Sequence, residues 1–347
     1  MTGIGIIGCG KITQVRHVPE YLGNPRARII GVTDMNAKRA EELAGKIGCK
    51  TYASAQELLD DPEIQAVSVC TANFTHAELS IAALRAGKHV LCEKPMATTL
   101  QECEDMVREA DKTGKILMIG QNQRLTKAHV RAKQLLQNGA IGRVVTFRTT
   151  FGHGGPETWS IDPGRGVWFF DKTRSVMGAM ADLGIHKTDL IQFLLDDHVT
   201  RTQAILATLD KKDAKGNPIG VDDNAICIYT MKSGVIGTMT ASWTYYGKED
   251  NSTVLYGTEG IMRIYDDPDY SISITKKNGE EELFKIDAIQ TNDNQTKSGV
   301  IDAFIESVED GVPPQISGKS VLPAMKAVFA SIRSSQSGKA VDIDEEK

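Results

Sequence analysis

The stretch Ile4-Gly5-Ile6-Ile7-Gly8-Cys9-Gly10-Lys11-Ile12-Thr13 runs a short apolar segment into a Gly8-x-Gly10 turn, and an amphipathic segment follows with Ile12, Val15, Val18, Tyr21 and Leu22. Strand, glycine turn and helix, in that order, are what a bound dinucleotide pyrophosphate needs. Gly8 allows the tight turn, and Gly10 lets the backbone approach the phosphates without a Cβ in the way. The helix start, from Lys11 and Ile12 onward, offers unpaired N–H groups and a partial positive charge. Thr13 stands at the third small position, so looser packing of helix on strand is expected there. Taken alone, two glycines also fit a turn that binds nothing.

The 347 residues suffice for two domains, each with its own core. With 41% hydrophobic and 24% charged residues the chain has a globular composition. The 40 Lys and Arg against 45 Asp and Glu leave no basic stripe to neutralise phosphates, which argues against a nucleic-acid partner. No apolar run approaches the roughly 20 residues that span a bilayer, so no membrane partner is expected. The N-terminus enters a strand directly, without the charged and apolar regions of a signal peptide, and a cytoplasmic protein is expected. Cys9, Cys49, Cys70, Cys92, Cys103 and Cys227 lack paired spacing and read as reduced, mostly buried thiols.

Ala27 to Asp34 reads as a second strand ending in a carboxylate about two dozen residues past the glycines, where an acid accepts hydrogen bonds from the adenosine ribose and repels a 2′-phosphate. Asp34 thus favours NAD; Lys38 and Arg39 nearby keep NADP open, and Arg39 joins the cofactor-side residues. Asp34 also suits the cap of a helix over 37–47. Strands at 66–71, 88–92 and 115–120 alternate with helices near 76–86 and 99–113, which predicts a doubly wound, mostly parallel sheet. Ligands on such a sheet lie beyond the carboxyl ends of its strands, here Thr71 to His76, Glu93 to Met96 and Gln121 to Arg124. After a helix near 128–138 and a strand over 143–151, strand-like runs near 200–209, 224–231, 235–246, 252–257 and 260–265 predict a separate α+β domain on an antiparallel or mixed sheet. The segment Asp210 to Asp223 is expected to be an exposed loop.

Between Met177 and Leu195, an otherwise apolar helical stretch carries Asp182, His186 and Asp189 at i, i+4 and i+7, on one face of an α-helix. Polar groups in a buried helix are costly unless paired or facing a polar cavity, so the pattern fits a site as well as a structural core network. A His oriented by a carboxylate is a natural proton acceptor near neutral pH. A metal reading is weaker, because His153 is the one obvious third ligand. Glu93-Lys94-Pro95 follows an apolar strand. A Lys there faces the ligand crevice and could polarise a substrate hydroxyl or relay its proton, although Glu-Lys pairs are commonly ordinary surface charges.

The combination of Gly8-Cys9-Gly10, Thr71-Ala72-Asn73-Phe74-Thr75-His76, Glu93-Lys94-Pro95, and Gly178 followed by Asp182-Leu183-Gly184-Ile185-His186-Lys187-Thr188-Asp189 resembles the glucose-fructose oxidoreductase, inositol dehydrogenase and rhizopine catabolism (Gfo/Idh/MocA) family, over nearly the whole chain. The resemblance implies a Rossmann NAD(P)-binding domain over 1–123 and, over 124–347, an α+β domain on a large open, mostly antiparallel sheet that binds substrate and forms a homodimer or homotetramer. It matches Lys94 to the family's catalytic lysine and Asp182 with His186 to its carboxylate-histidine pair. Asn73, His76 and Glu93 match positions on the nicotinamide side, with Thr71 beside them, and Trp168 resembles a tryptophan near the cofactor. Ser175-Val176-Met177-Gly178 departs from the fuller glycine run usual before the Asp.

The expected function is therefore NAD-dependent oxidation or reduction of a secondary alcohol in a sugar or cyclitol, without a metal. His153, Trp159 and Tyr246 are candidates for an aromatic, hydrogen-bonding wall against the sugar, or for plain packing. Relatives that cleave glycosidic bonds with recycled NAD, or that sense nucleotide without catalysis, define the other outcomes.

Overall fold

A computed structural model describes residues 1–289 and 297–343. They form two compact units, each with its own sheet. The division is not a single cut after residue 123: Thr173–Ser175 and residues 297–322 pack with Met1–Asn122, while Gln123–Lys172, 176–289 and 323–343 form the second unit. Residues 290–296 and 344–347 of the expected second domain lie outside the described residues.

In the first unit β1 (Thr2–Ile7), β2 (Ala27–Thr33), β3 (Lys50–Thr51), β4 (Ala66–Val69), β5 (His89–Cys92) and β6 (Leu117–Ile119) form one sheet. Every pairing is parallel, in the order β3-β2-β1-β4-β5-β6. β1 is buried along its whole length, as a strand covered on both faces must be. Its last residue, Ile7, pairs with Thr33 on one side and Val69 on the other. The strand order reverses at this point, which leaves a crevice beyond the strand ends. The expected helices are present as Ala37–Ile47, His76–Arg85 and Leu100–Thr113. The third starts on a reciprocal capping box, Thr99 with Glu102, and ends at Gly114 in the left-handed region. A later helix, Val300–Asp310, joins this unit through polar contacts that local sequence does not announce. Glu20 accepts from Ser298 N (2.8 Å) and Oγ (2.9 Å), and Asn24 Nδ2 donates to Asp302 (2.9 Å).

The second unit is built on β7 (Val144–Gly152), β8 (Val199–Ala207), β9 (Asn224–Met231), β10 (Ile236–Ser242), β11 (Thr253–Gly257), β12 (Gly260–Ile264), β13 (Ile272–Lys276), β14 (Glu281–Phe284) and β15 (Val341–Asp342). Their order is β14-β13-β12-β11-β7-β10-β9-β8-β15; β10 and β7 run parallel and the remaining neighbours antiparallel. β8 to β12 fall where the alternating runs place them, and the weakly patterned β13, β14 and β15 extend the two edges. The sheet has a buried and an open face. On the buried one, Tyr229 lies under the helix Ile185–Leu195 and shares a hydrogen bond with Thr188 Oγ1 at 2.9 Å. On the open one, Ile205, Ile226, Ile228 and Ile236 are exposed on three adjacent strands, with Ile205 directly opposite Ile226.

The segment Asp210 to Asp223 is a loop exposed over most of its length, with buried residues near both ends. Lys211, Ile219, Val221 and Asp223 are buried, because the Asp223 carboxylate accepts the N–H groups of Leu209, Asp210 and Lys211 at 2.7–2.8 Å. All six cysteines are free thiols, and five are buried. Among the described residues no helix is long and apolar enough to cross a membrane.

Candidate functional site

The glycine turn has the geometry that the sequence anticipates, and each glycine acts differently. Gly8 takes φ +98°, and a Cβ built on it would lie 2.5 Å from the Cys70 carbonyl oxygen. A Cβ on Gly10 would meet nothing within 4 Å. Space is therefore open where a phosphate must approach the backbone, beside the half-buried Lys11 and Ile12 at the helix start. Thr13 does not loosen the packing. It is fully buried, and its hydroxyl donates to the Gly8 carbonyl at 2.6 Å, bracing the turn it was expected to slacken.

Asp34 lies at the end of β2, half-buried. Its Oδ2 accepts the Cys9 N–H and its Oδ1 the Asn36 N–H, both at 2.7 Å. Each oxygen keeps lone pairs for a ribose hydroxyl. Arg39 follows on the helix capped by Asn36, whose side chain accepts the Arg39 N–H. The residues present thus fit the dinucleotide implied by the fold.

Beyond β4 and β5, the residues expected near the nicotinamide are engaged in holding turns. Asn73 is buried and donates to the Ser175 carbonyl at 3.0 Å, and Thr75 Oγ1 donates to Thr71 Oγ1 at 2.7 Å. His76 Nδ1 is 2.7 Å from the Pro95 oxygen and Nε2 3.1 Å from that of Thr71. Burial holds the His76 pKa below its ordinary value, outweighing these carbonyls. Glu93 turns inward, its Oε1 2.8 Å from His17 Nε2. Burial alone would raise its pKa, but the His17 hydrogen bond and the charges of Arg16 and Lys94 hold it at about 2. Lys94 follows, half-buried, in a turn closed by a cis Lys94–Pro95 peptide.

In the second unit, Met180–Gly184 is a π-turn that leads into the helix Ile185–Leu195, so the local period is not the 3.6 of the sequence argument. Asp182 and His186 are both buried there. Asp182 Oδ2 accepts the indole N–H of Trp243 at 3.0 Å. Asp189 is diverted from the expected common face: Arg124 grips it with Nε at 2.6 Å and Nη2 at 2.5 Å, against the upward push of burial on its pKa. The turn's approach is set by Asp222, whose carboxylate accepts the N–H groups of Gly178 (2.9 Å) and Met180 (2.8 Å). Val176 sits at φ +66°, a strained conformation for a β-branched residue, where the family's glycine run would be at ease.

A continuous path of rings surrounds the pair. Phe151 lies 5.8 Å from His186 and 5.8 Å from His153; His153 meets Trp159 at 6.1 Å, and Trp159 meets Phe169 at 5.3 Å. Trp168 stacks on Phe169 at 3.9 Å, and Phe169 touches Trp243, which holds Asp182, at 6.4 Å. His153, Trp159, Trp168, Asp182 and His186 therefore come together on one wall. Tyr246 does not join it. It is exposed, its hydroxyl bonds Asp210, and Lys211 Nζ sits over its ring at 4.8 Å; Lys211 in turn ties down Gly154 and Glu157 behind the wall. Among the described residues no group of three or more His, Cys, Asp or Glu is placed to hold a metal ion.

Three buried neighbours of the candidate residues escaped the sequence argument. Trp243 and His17 are two. The third is Lys187, fully buried, with Nζ 2.8 Å from the Asn251 carbonyl. Burial brings its pKa from 10.5 down to about 7 despite Asp250 and Glu249. Between these values the unfolded chain binds a proton that the folded chain releases, so this residue's contribution makes stability rise with pH from about 7 to 10.5. Lys187→Met should therefore raise stability at pH 7 by roughly 1–3 kcal/mol, with a gain that shrinks toward pH 10; urea midpoints at both pH values measure it.

Two family models match in sequence order: an oxidoreductase family with an NAD-binding Rossmann fold over residues 2–121, and the GFO/IDH/MocA C-terminal domain over 129–263. The chain is 27% identical to a myo-inositol 2-dehydrogenase of Thermotoga maritima over 99% of its own length and 98% of that protein's. It is 31% identical to a levoglucosan dehydrogenase of Pseudarthrobacter phenanthrenivorans over 67% and 63% of the two chains. A solved levoglucosan dehydrogenase in complex with NADH and levoglucosan superposes with a TM-score of 0.85 at 25% identity, covering 99% of each chain. With its NAD-binding Rossmann domain and the matching C-terminal domain, the chain belongs to the Gfo/Idh/MocA oxidoreductase family, whose matched members include inositol and sugar dehydrogenases.

Proposed function

We propose that the chain is an NAD-dependent dehydrogenase acting on a secondary alcohol of a sugar or cyclitol. The observation that carries this is the ring-lined wall around His186 and Asp182: aromatic faces beside a few fixed polar groups suit a polyol. The inositol and levoglucosan dehydrogenases among the relatives support the same substrate class. His186 accepts the hydroxyl proton, Asp182 orients it, and Lys94 donates a hydrogen bond to the alcohol oxygen as negative charge develops there. His153 and Trp159 hold the sugar. NAD, when bound, supplies a two-electron acceptor for the carbinol hydride. Gly8, Gly10, Lys11 and Ile12 hold its phosphates, and Asp34 takes the ribose and disfavours a 2′-phosphate. Arg39, Thr71, Asn73, His76, Glu93 and Trp168 complete the cofactor side, the last five shaping its nicotinamide end.

The test is absorbance of reduced nicotinamide with purified protein, NAD or NADP, and a panel of inositols, hexoses, anhydrosugars and glycosides. NADH accumulating with one subset supports the dehydrogenase. Free sugar released from a glycoside without net NADH would replace it with NAD-recycling bond cleavage.

The open sheet face supports a homo-oligomer. Four exposed isoleucine side chains on adjacent strands form the surface that a second copy covers at little cost. Ile226→Lys with Ile228→Lys should convert the oligomer to monomer in sedimentation velocity while leaving the melting temperature of the monomer close to that of the parent; an unchanged sedimentation coefficient would place the interface elsewhere.

A further inference from the structure

We propose that His17 is a positioning residue for Lys94: through the Glu93 carboxylate it fixes the backbone from which the Lys94 ammonium meets the reacting oxygen. The inference rests on the catalytic role proposed for Lys94 above.

His17 is fully buried, with a polar partner at each ring nitrogen. A carboxylate only accepts, so His17 Nε2 carries the hydrogen toward Glu93 Oε1 at 2.8 Å. The other ring nitrogen, Nδ1, lies 3.1 Å from Ser68 Oγ. Ser68 Oγ in turn shares a hydrogen bond with the buried Tyr21 hydroxyl at 2.8 Å. The far oxygen of the same carboxylate, Oε2, accepts the backbone N–H of Lys94 at 3.2 Å. Gly120 provides the room: a Cβ there would lie 2.9 Å from Glu93 Oε2. Four side chains thus form a rigid line that ends on the Lys94 peptide.

The other side of the turn is held as well. His76 Nδ1 lies 2.7 Å from the Pro95 carbonyl oxygen. Glu93, Pro95 and Met96 are buried, and Lys94 alone in this turn is half-buried. A buried carboxylate is a costly way to fill space beside a strand end, where an apolar side chain would pack at lower cost. What the carboxylate offers that an apolar group cannot is a fixed acceptor for the one peptide that carries the lysine.

The test compares His17→Ala and His17→Gln in the full chain with a substrate taken from the panel, measuring kcat, KM for the sugar, the dissociation constant of NADH and the melting temperature. His17→Ala should lower kcat roughly 10- to 100-fold, the scale of a misplaced reacting group, with NADH affinity within about twofold. His17→Gln, whose amide N–H still donates to Glu93, should restore most of the turnover. A second readout is independent of turnover: in protein with 13C-methylated lysines, the Lys94 resonance, assigned with Lys94→Arg, should shift in His17→Ala and stay near its parent position in His17→Gln. Should His17→Ala not fold, Ser68→Ala removes the hydroxyl shared by His17 Nδ1 and Tyr21 and should move the same resonance. An unmoved Lys94 resonance, or a lower melting temperature with unaltered kcat, would make His17 an ordinary core residue and overturn the proposal. A parent protein inactive across the whole panel would instead overturn the catalytic role of Lys94, while the resonance still decides whether His17 sets its position.

Discussion

Replacing His186 with Asn should lower turnover at saturating sugar by about 10²- to 10⁴-fold, the range for loss of a positioned general base, and leave NADH affinity nearly intact. His186 is buried on the helix that follows the π-turn, with the Phe151 ring 5.8 Å away, so an Asn of smaller volume fits without disturbing the sheet beneath. Lys94→Ala should fall in the same direction. In the proposed mechanism base and hydrogen-bond donor act on one oxygen, which predicts that the double variant loses much less than the product of the two effects. Stopped-flow NADH formation, with cofactor affinity measured separately by fluorescence, separates the two quantities. A His186→Asn enzyme that turns over normally but binds NADH poorly would move the residue out of the proton path.

The glycine turn gives a second large effect, with opposite signatures at two neighbouring positions. Gly10→Val should weaken NADH binding by roughly a hundredfold or more, since backbone approach to the pyrophosphate needs the space left by the missing side chain. The melting temperature should hardly change, because a Cβ at Gly10 meets nothing within 4 Å in the protein itself. Gly8→Ala should do the reverse in kind: at φ +98°, with the Cys70 oxygen 2.5 Å from the new Cβ, it should cost about 3 kcal/mol or more of stability before any ligand is added. Thermal melts and NADH titrations of both variants distinguish a ligand cradle from a merely structural turn. Equal loss of stability at both sites, with cofactor binding unaffected at Gly10, would contradict the assignment.

The parts of the fold legible in the sequence are those where the inward face is apolar. β1 with its glycine turn, the helices at 37–47 and 100–113, and the alternating strands β8 to β12 all follow that rule. The rule fails where the buried face is polar. Beside Val18 and Tyr21, the polar Thr13, Arg16, His17 and Glu20 are also buried after the glycine turn, and hydrophobic periodicity looks past them while picking Leu22, which is exposed. Lys187 escaped for the same reason, and Asp189 was grouped with the site because spacing cannot show that Arg124 claims it. Helical spacing did bring Asp182 and His186 into view, but Trp243 reaches Asp182 across 61 residues and no local pattern carries that pairing. Tyr246 enters the sequence reading as an aromatic, hydrogen-bonding side chain, but its contacts are set by Asp210 and Lys211, which no local pattern pairs with it. The docking of Val300–Asp310 on the first sheet depends on contacts 278 residues apart, such as Glu20 with Ser298.

The most direct measurement of the central claim is the fate of the carbinol hydrogen. A substrate from the panel, deuterated at the carbon that is oxidised, is turned over with NAD, and the reduced nicotinamide is analysed by mass spectrometry. Direct hydride transfer places one deuterium on the nicotinamide and leaves a ketone on the sugar or cyclitol. Unlabelled NADH, or deuterium lost to solvent, would contradict it.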